Sequence, residues 1–143
     1  DWHVGRPLFA RWPMMLYMVY VFMAAGYGLI GLVLVAGDGS VSPGIHLLTA
    51  GALGLAVYTV ICIAGYTHSG LEKNGRPWVV VGACLLVASA VLRALAYWFD
   101  PPVLLQLAGL AWCAAFVMQG WQMLPVFLRP RQDGLWGCQG VQD

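Results

Sequence analysis

Residues 45–66 read IHLLTAGALGLAVYTVICIAGY, a run with one histidine and no Asp, Glu, Lys or Arg. A helix needs about 20 consecutive apolar residues to cross a hydrocarbon core roughly 30 Å thick, and this run supplies them. Three further stretches of the same character occupy residues 13–36, 78–99 and 103–128. Between them lie the expected breakers: Gly37-Asp38-Gly39-Ser40 with Ser42-Pro43-Gly44, then Thr67 to Pro77, then Asp100-Pro101-Pro102. Pro13 and Pro43 precede helix starts, where a missing N–H costs nothing. The fold class that follows is all-α, an integral membrane bundle of four transmembrane helices forming a single domain over 1–143.

Composition supports the same reading. Hydrophobic residues make up 61% of the 143 positions and charged residues 9%, against about 45–50% and about 25% in soluble domains. A short chain cannot hide so much apolar surface from water, so part of it has to face lipid. Net charge is +1, and the sequence has no basic run, which excludes a nucleic-acid surface. Cys62, Cys84 and Cys113 lie inside apolar stretches and read as small packing groups; Cys138 is alone in a polar tail. No CxxC occurs, and the redox compartment is left undetermined. The chain begins at Asp1 with no signal-peptide pattern, from which a trimmed start or a piece of a longer protein is expected.

Six of the seven basic residues assign a direction. Arg6 and Arg11 precede the first span, Lys73 and Arg76 lie in the second loop, and Arg129 and Arg131 follow the fourth span. In a four-span chain these places share one side, while the other two loops offer Asp38 and Asp100. The positive-inside rule then puts both termini in the cytoplasm. Gly26, Gly28 and Gly31, with Ala50, Gly51 and Gly54, are expected to let helix backbones approach closely. Trp78, Tyr97, Trp98 and Trp121 are expected as interfacial anchors.

Few side chains in these spans can carry chemistry. His46 and His68 stand 22 residues apart at the two ends of the second span. A uniform α-helix separates them by roughly 33 Å and returns them to within about 40° of one direction. They cannot ligate one metal, so each is either an interfacial histidine or a haem or copper ligand completed by other helices. Arg93 lies about two turns before the outer loop, in the same half as His46. A guanidinium there must snorkel, with Asp100 in reach, or be paired, as by a haem propionate beside His46. No carboxylate lies deep in a span, which argues against a proton pump or a carboxylate-bridged metal pair. Met14, Met15, Met18 and Met23 on the first span are packing residues or, as thioethers, Cu(I) donors. No phosphate loop, nucleophile elbow or HExxH motif is present.

His46 with Gly51 and Gly54, followed by Thr67-His68-Ser69-Gly70, resembles the signature segment of the NnrS family of bacterial membrane proteins. In that family a histidine opens a helix rich in small residues and a Gly-His-Thr-Gly-Arg sequence closes it. Leu92-Arg93-Ala94-Leu95 looks like the family arginine of the next span. Ala111-Trp112, Ala115-Phe116, Pro125 and Arg129-Pro130-Arg131-Gln132-Asp133-Gly134 resemble its last helix and tail. The resemblance covers about residues 44–137 and corresponds to the last third of a family of about twelve spans. It implies an inner-membrane protein with haem b and copper, linked to nitric oxide response and denitrification, with nitric oxide or a metal-nitrosyl as ligand. Carried over, His46 and His68 become metal ligands and Arg93 a supporting cofactor-binding group.

The departures have consequences. Ile63 and Thr67 replace a family arginine and glycine, Lys73-Asn74-Gly75 lengthen the loop before Arg76-Pro77, and the first span lacks its usual histidine. Two further readings therefore stand beside the first. One is a cofactor-free accessory subunit that packs, or self-associates, within a larger membrane complex. The other is a b-type electron-transfer subunit, for which only His3 and His68 share a side. The first reading is one of binding rather than turnover, whereas the b-type reading takes in a redox enzyme as well as an electron-transfer subunit.

Overall fold

The computed structural model describes residues 5, 9–72, 76–99, 102–131, 133 and 134. Arg6, Lys73, Asp100 and Cys138 lie outside these residues, as does His3, on which the electron-transfer reading depends. Four helices follow in order: α1 (Arg11–Ala36), α2 (Ser42–His68), α3 (Pro77–Phe99) and α4 (Pro102–Leu128). Each is long and apolar enough to cross a membrane, and each covers one of the four expected spans with its ends shifted by three residues or fewer. Proline opens α3 and α4 and occupies the first turn of α2. Gly37, with φ at 70°, closes α1 by donating its N–H to the Val33 carbonyl at 3.0 Å.

Burial is uneven. The apolar windows of α2 and α3 are 44% and 39% buried, those of α1 and α4 only 11% and 17%, so α2 and α3 are central and the other two flank them. α1 lies against the first half of α2, and α4 runs along α3. Two glycines permit the α1–α2 approach. A Cβ at Gly44 would lie 2.6 Å from the Gly26 carbonyl oxygen, and one at Gly26 would lie 2.9 Å from that of Gly44. Gly51 receives the Phe22 ring in the same way, at 2.8 Å from a Cβ position. Gly28 and Gly31 do not share this role, because nothing lies within 4 Å of either. They fall on the open face of α1, so the expected stripe of small residues is real only where α1 faces α2.

Polar side chains tie the central helices together. The Tyr58 hydroxyl donates to the carbonyls of Trp78 and Val79 at 3.3 and 3.2 Å, and it fills the space over Gly82 that a Cβ would need. Gln119 reaches from α4 to donate to the Tyr58 carbonyl at 2.8 Å and to Cys62 Sγ at 3.3 Å. Such bonds between membrane helices contribute about 0.6 kcal/mol each on average, but their larger effect is to fix register, because the alternative is an unpaired polar group in hydrocarbon. Trp78 departs from its expected anchoring role. It packs half-buried against the core, edge-on to Tyr58 with ring centroids 6.3 Å apart. Tyr97, Trp98 and Trp121 are exposed, as anchors should be.

Candidate functional site

α2 is not a uniform α-helix. Immediately after His46, residues Leu47–Leu53 are π-helical, and regular α-helix resumes at Gly54. A π stretch widens the turn and changes the phase of everything beyond it, and such segments recur at functional sites. Seven of the positions between the two histidines are wound this way, so their near-alignment, worked from uniform α geometry, no longer follows. The irregularity is tolerated because α1 and α3 cover it: Phe22 sits over Gly51, and Ala90 Cβ is 3.2 Å from a Cβ position there.

The turn at His46 opens onto a cavity of about 260 Å³ lined by His46, Ala50, Ser89, Arg93, Trp112 and Cys113, among others. A second cavity, of about 180 Å³, shares His46, Arg93 and Leu105 with it and extends toward Ser42 and Tyr97. The two are parts of one cleft among α2, α3 and α4. α3 contributes Ser89 and Arg93, four residues apart and hence on one face. α4 contributes Leu105, Ala108, Gly109, Trp112 and Cys113, whose spacing is that of a single helical stripe. Ala108 and Gly109 leave the space that larger residues would fill, and nothing lies within 4 Å of a Cβ position at Gly109. The Ser89 hydroxyl donates to the Ala108 carbonyl at 2.8 Å and pins the floor. Trp112 forms a wall, its ring tilted against Phe116 at 4.5 Å and its Nε1 3.4 Å from a Cβ position at Gly54.

The fold therefore brings His46 and Arg93 together and leaves His68 apart. His68 is exposed in the last turn of α2, at the opposite end of that helix. Among the described residues Arg93 has no ion pair and no hydrogen bond, although it is half-buried within a span. Asp100, its expected partner for snorkelling, lies outside the described residues. A guanidinium at membrane depth costs several kcal/mol unless something compensates it, and the cleft is where compensation would come from.

The donor set can be compared with what haem and copper require. Haem needs one imidazole, apolar walls and a cation for its carboxylates; His46, Leu105 with Trp112, and Arg93 fit those parts in one cleft. The volume does not enclose a whole macrocycle; it has room for one edge of such a group. Nitrogen and oxygen donors for copper are not clustered: among the described residues no three His, Cys, Asp or Glu side chains form a metal-binding group. Soft donors are closer. Met14, Met15, Met18 and Cys84 line one groove of about 830 Å³ between α1 and α3, from which Met23 is absent.

At the end of the bundle where α1 and α3 start and α2 and α4 finish, two sequence landmarks meet. Gly70, at φ 66°, ends α2 with the Leu71 N–H donating to the Tyr66 carbonyl at 2.9 Å, the reversed turn that caps many helices. Asp133 lies against it, its carboxylate 2.5 Å from where a Gly70 Cβ would be. Arg131 clamps that carboxylate from the other side, Nε donating to Oδ1 at 2.9 Å and Nη2 pairing with Oδ2. The histidine motif and the Arg-x-Asp tail are thus one spatial unit.

The π turn, the stripe on α4 and Gln119 were not singled out from sequence. Gln119 carried a usable signal, a lone amide deep in an apolar span; the π turn carried none. In comparisons with known proteins, a family model described as NnrS protein matches residues 1–131, nearly the whole chain and including the first span. No curated protein and no solved structure matches.

Proposed function

The chain belongs to the NnrS family, and we propose that it is a haem-binding membrane protein of nitric oxide handling, acting by binding rather than turnover. In this reading His46 and Arg93 hold the cofactor from one side. The observation that supports it most is the shared cleft: an imidazole and a half-buried guanidinium that has no ion pair among the described residues line the same space, walled by apolar side chains. His46 would supply the nitrogen ligand. Arg93 would meet a carboxylate, which offsets the cost of its own charge in the membrane. Leu105, Ala108 and Trp112 would keep water from the bound face. Haem iron, when held by a single imidazole, supplies an open position for a diatomic ligand such as nitric oxide.

A ligand role for His68 belongs to a second, separate site, because the two histidines stand at opposite ends of the membrane-spanning part of α2. Copper is the second metal of the reading, and the sulfur-lined groove of Met14, Met15, Met18 and Cys84 favours it on donor softness. The location we propose is the bacterial inner membrane, with the arginine-bearing end cytoplasmic, on the charge asymmetry of Arg11, Arg76, Arg129 and Arg131. Titrating purified protein with haem, then with nitric oxide, tests the function. The expected result is a saturable Soret band at one haem per chain that shifts on adding nitric oxide. Folded protein that binds no haem would leave the accessory-subunit reading in its place.

A further inference from the structure

Near the Gly70–Asp133 contact the bundle carries a second polar cavity, of about 290 Å³, far from the His46 cleft. Four polar side chains from three segments line it: Ser69 after α2, Arg76 before α3, and Gln122 and Arg129 on and just after α4. Among the described residues no carboxylate lines it. Another arginine at this end, Arg131, is neutralised by Asp133, whereas among the described residues Arg76 and Arg129 have no acidic partner. Arg76 is also held in place. Its guanidinium lies over the Tyr66 ring at 4.9 Å from the centroid, and its carbonyl accepts from Arg11 Nη1 at 3.5 Å.

Behind Arg76, the fully buried Tyr66 has its hydroxyl close to both the Arg76 guanidinium and the Trp78 indole, which keeps the Arg76 side chain at the cavity edge. Two cations, a hydroxyl and an amide, with Pro125 and Val126 as an apolar floor, suit a compact anion with several oxygen acceptors.

We propose that Ser69, Arg76, Gln122 and Arg129 form a binding site for a phosphate-type oxyanion, taken either from solution or as the headgroup of an anionic phospholipid. The proposal does not depend on haem. It is tested on the full chain in detergent by calorimetric titration with inorganic phosphate against chloride at equal ionic strength. In parallel, native mass spectrometry of protein from phosphatidylglycerol and from phosphatidylcholine nanodiscs reads retained lipid. Saturable phosphate binding identifies the dissolved ion. Selective retention of phosphatidylglycerol without phosphate binding identifies the headgroup. In either arm R76Q/R129Q should weaken binding about tenfold or more, since each lost bond is charge-assisted. R129Q alone, at an exposed position that leaves the Tyr66 contact intact, should weaken it measurably, with partial recovery in R129K. Circular dichroism confirms that the variants fold. Equal binding by wild type and folded R129Q and R76Q/R129Q in both arms, or binding of neither probe by the wild type, would overturn the proposal.

Discussion

Gly44 is where a single methyl group would press directly on the backbone of a neighbouring helix. A Cβ there would lie 2.6 Å from the Gly26 carbonyl oxygen, 2.6 Å from Ile30 Cγ1 and 3.2 Å from the Ile30 backbone nitrogen. Two of those three atoms are backbone, so the strain cannot be relieved by a rotamer change. α1 and α2 have to separate by about half an ångström, and overpacking of this kind costs about 1–3 kcal/mol. The gain in helix propensity from Gly to Ala returns up to about 1 kcal/mol, which leaves a net cost for Gly44→Ala between about 0 and 3 kcal/mol, about 1–2 at mid-range. Gly31→Ala on α1 is the internal control: nothing lies within 4 Å of its Cβ position, so only the propensity gain operates. Unfolding of both variants in mixed micelles of rising denaturing-detergent fraction measures the difference. Gly44→Ala should unfold earlier than wild type and Gly31→Ala no earlier. Equal midpoints for the two would refute the claim that α1 docks on α2 through backbone contact at Gly26 and Gly44. Because Gly44 lies two residues before His46, the same substitution should also weaken cofactor retention.

Other substitutions probe the remaining joints. Gln119→Leu removes the bonds to the Tyr58 carbonyl and Cys62 Sγ; a loss of about 1 kcal/mol is expected by the same unfolding assay. Gly70→Ala places a side chain at φ 66° and against the Asp133 carboxylate, so it should cost about 1–2 kcal/mol. Asp133→Asn, by contrast, breaks an ion pair near the surface and should change stability by about 1 kcal/mol or less.

Much of this architecture is legible in the chain because lipid imposes a simple rule. Backbone bonds must close within each span, so length and hydropathy alone locate four helices. Which face of each helix packs is harder. Gly26 and Gly28 look alike in sequence, yet only Gly26 meets a neighbour, because apolar residues point to lipid and to protein alike and no polar face marks the difference. The site divides in the same way. His46 and Arg93 stand out as ionisable groups in apolar runs, and the fold brings them into one cleft. The walls of that cleft, Ala108, Gly109 and Trp112, are unremarkable residues that matter only through their stripe. The π turn after His46 lies where α1 and α3 cover α2, and the local sequence carries no signature of it.

The central claim is that the cofactor site of these four helices is the His46–Arg93 cleft. The Soret absorbance of haem-titrated wild type, His46→Ala and His68→Ala, at equal protein concentration and with folding checked by circular dichroism, tests it most directly. The account predicts that His46→Ala loses most of the band and that His68→Ala keeps at least the part owed to the cleft. A folded His46→Ala protein with a Soret band equal to that of the wild type would contradict it.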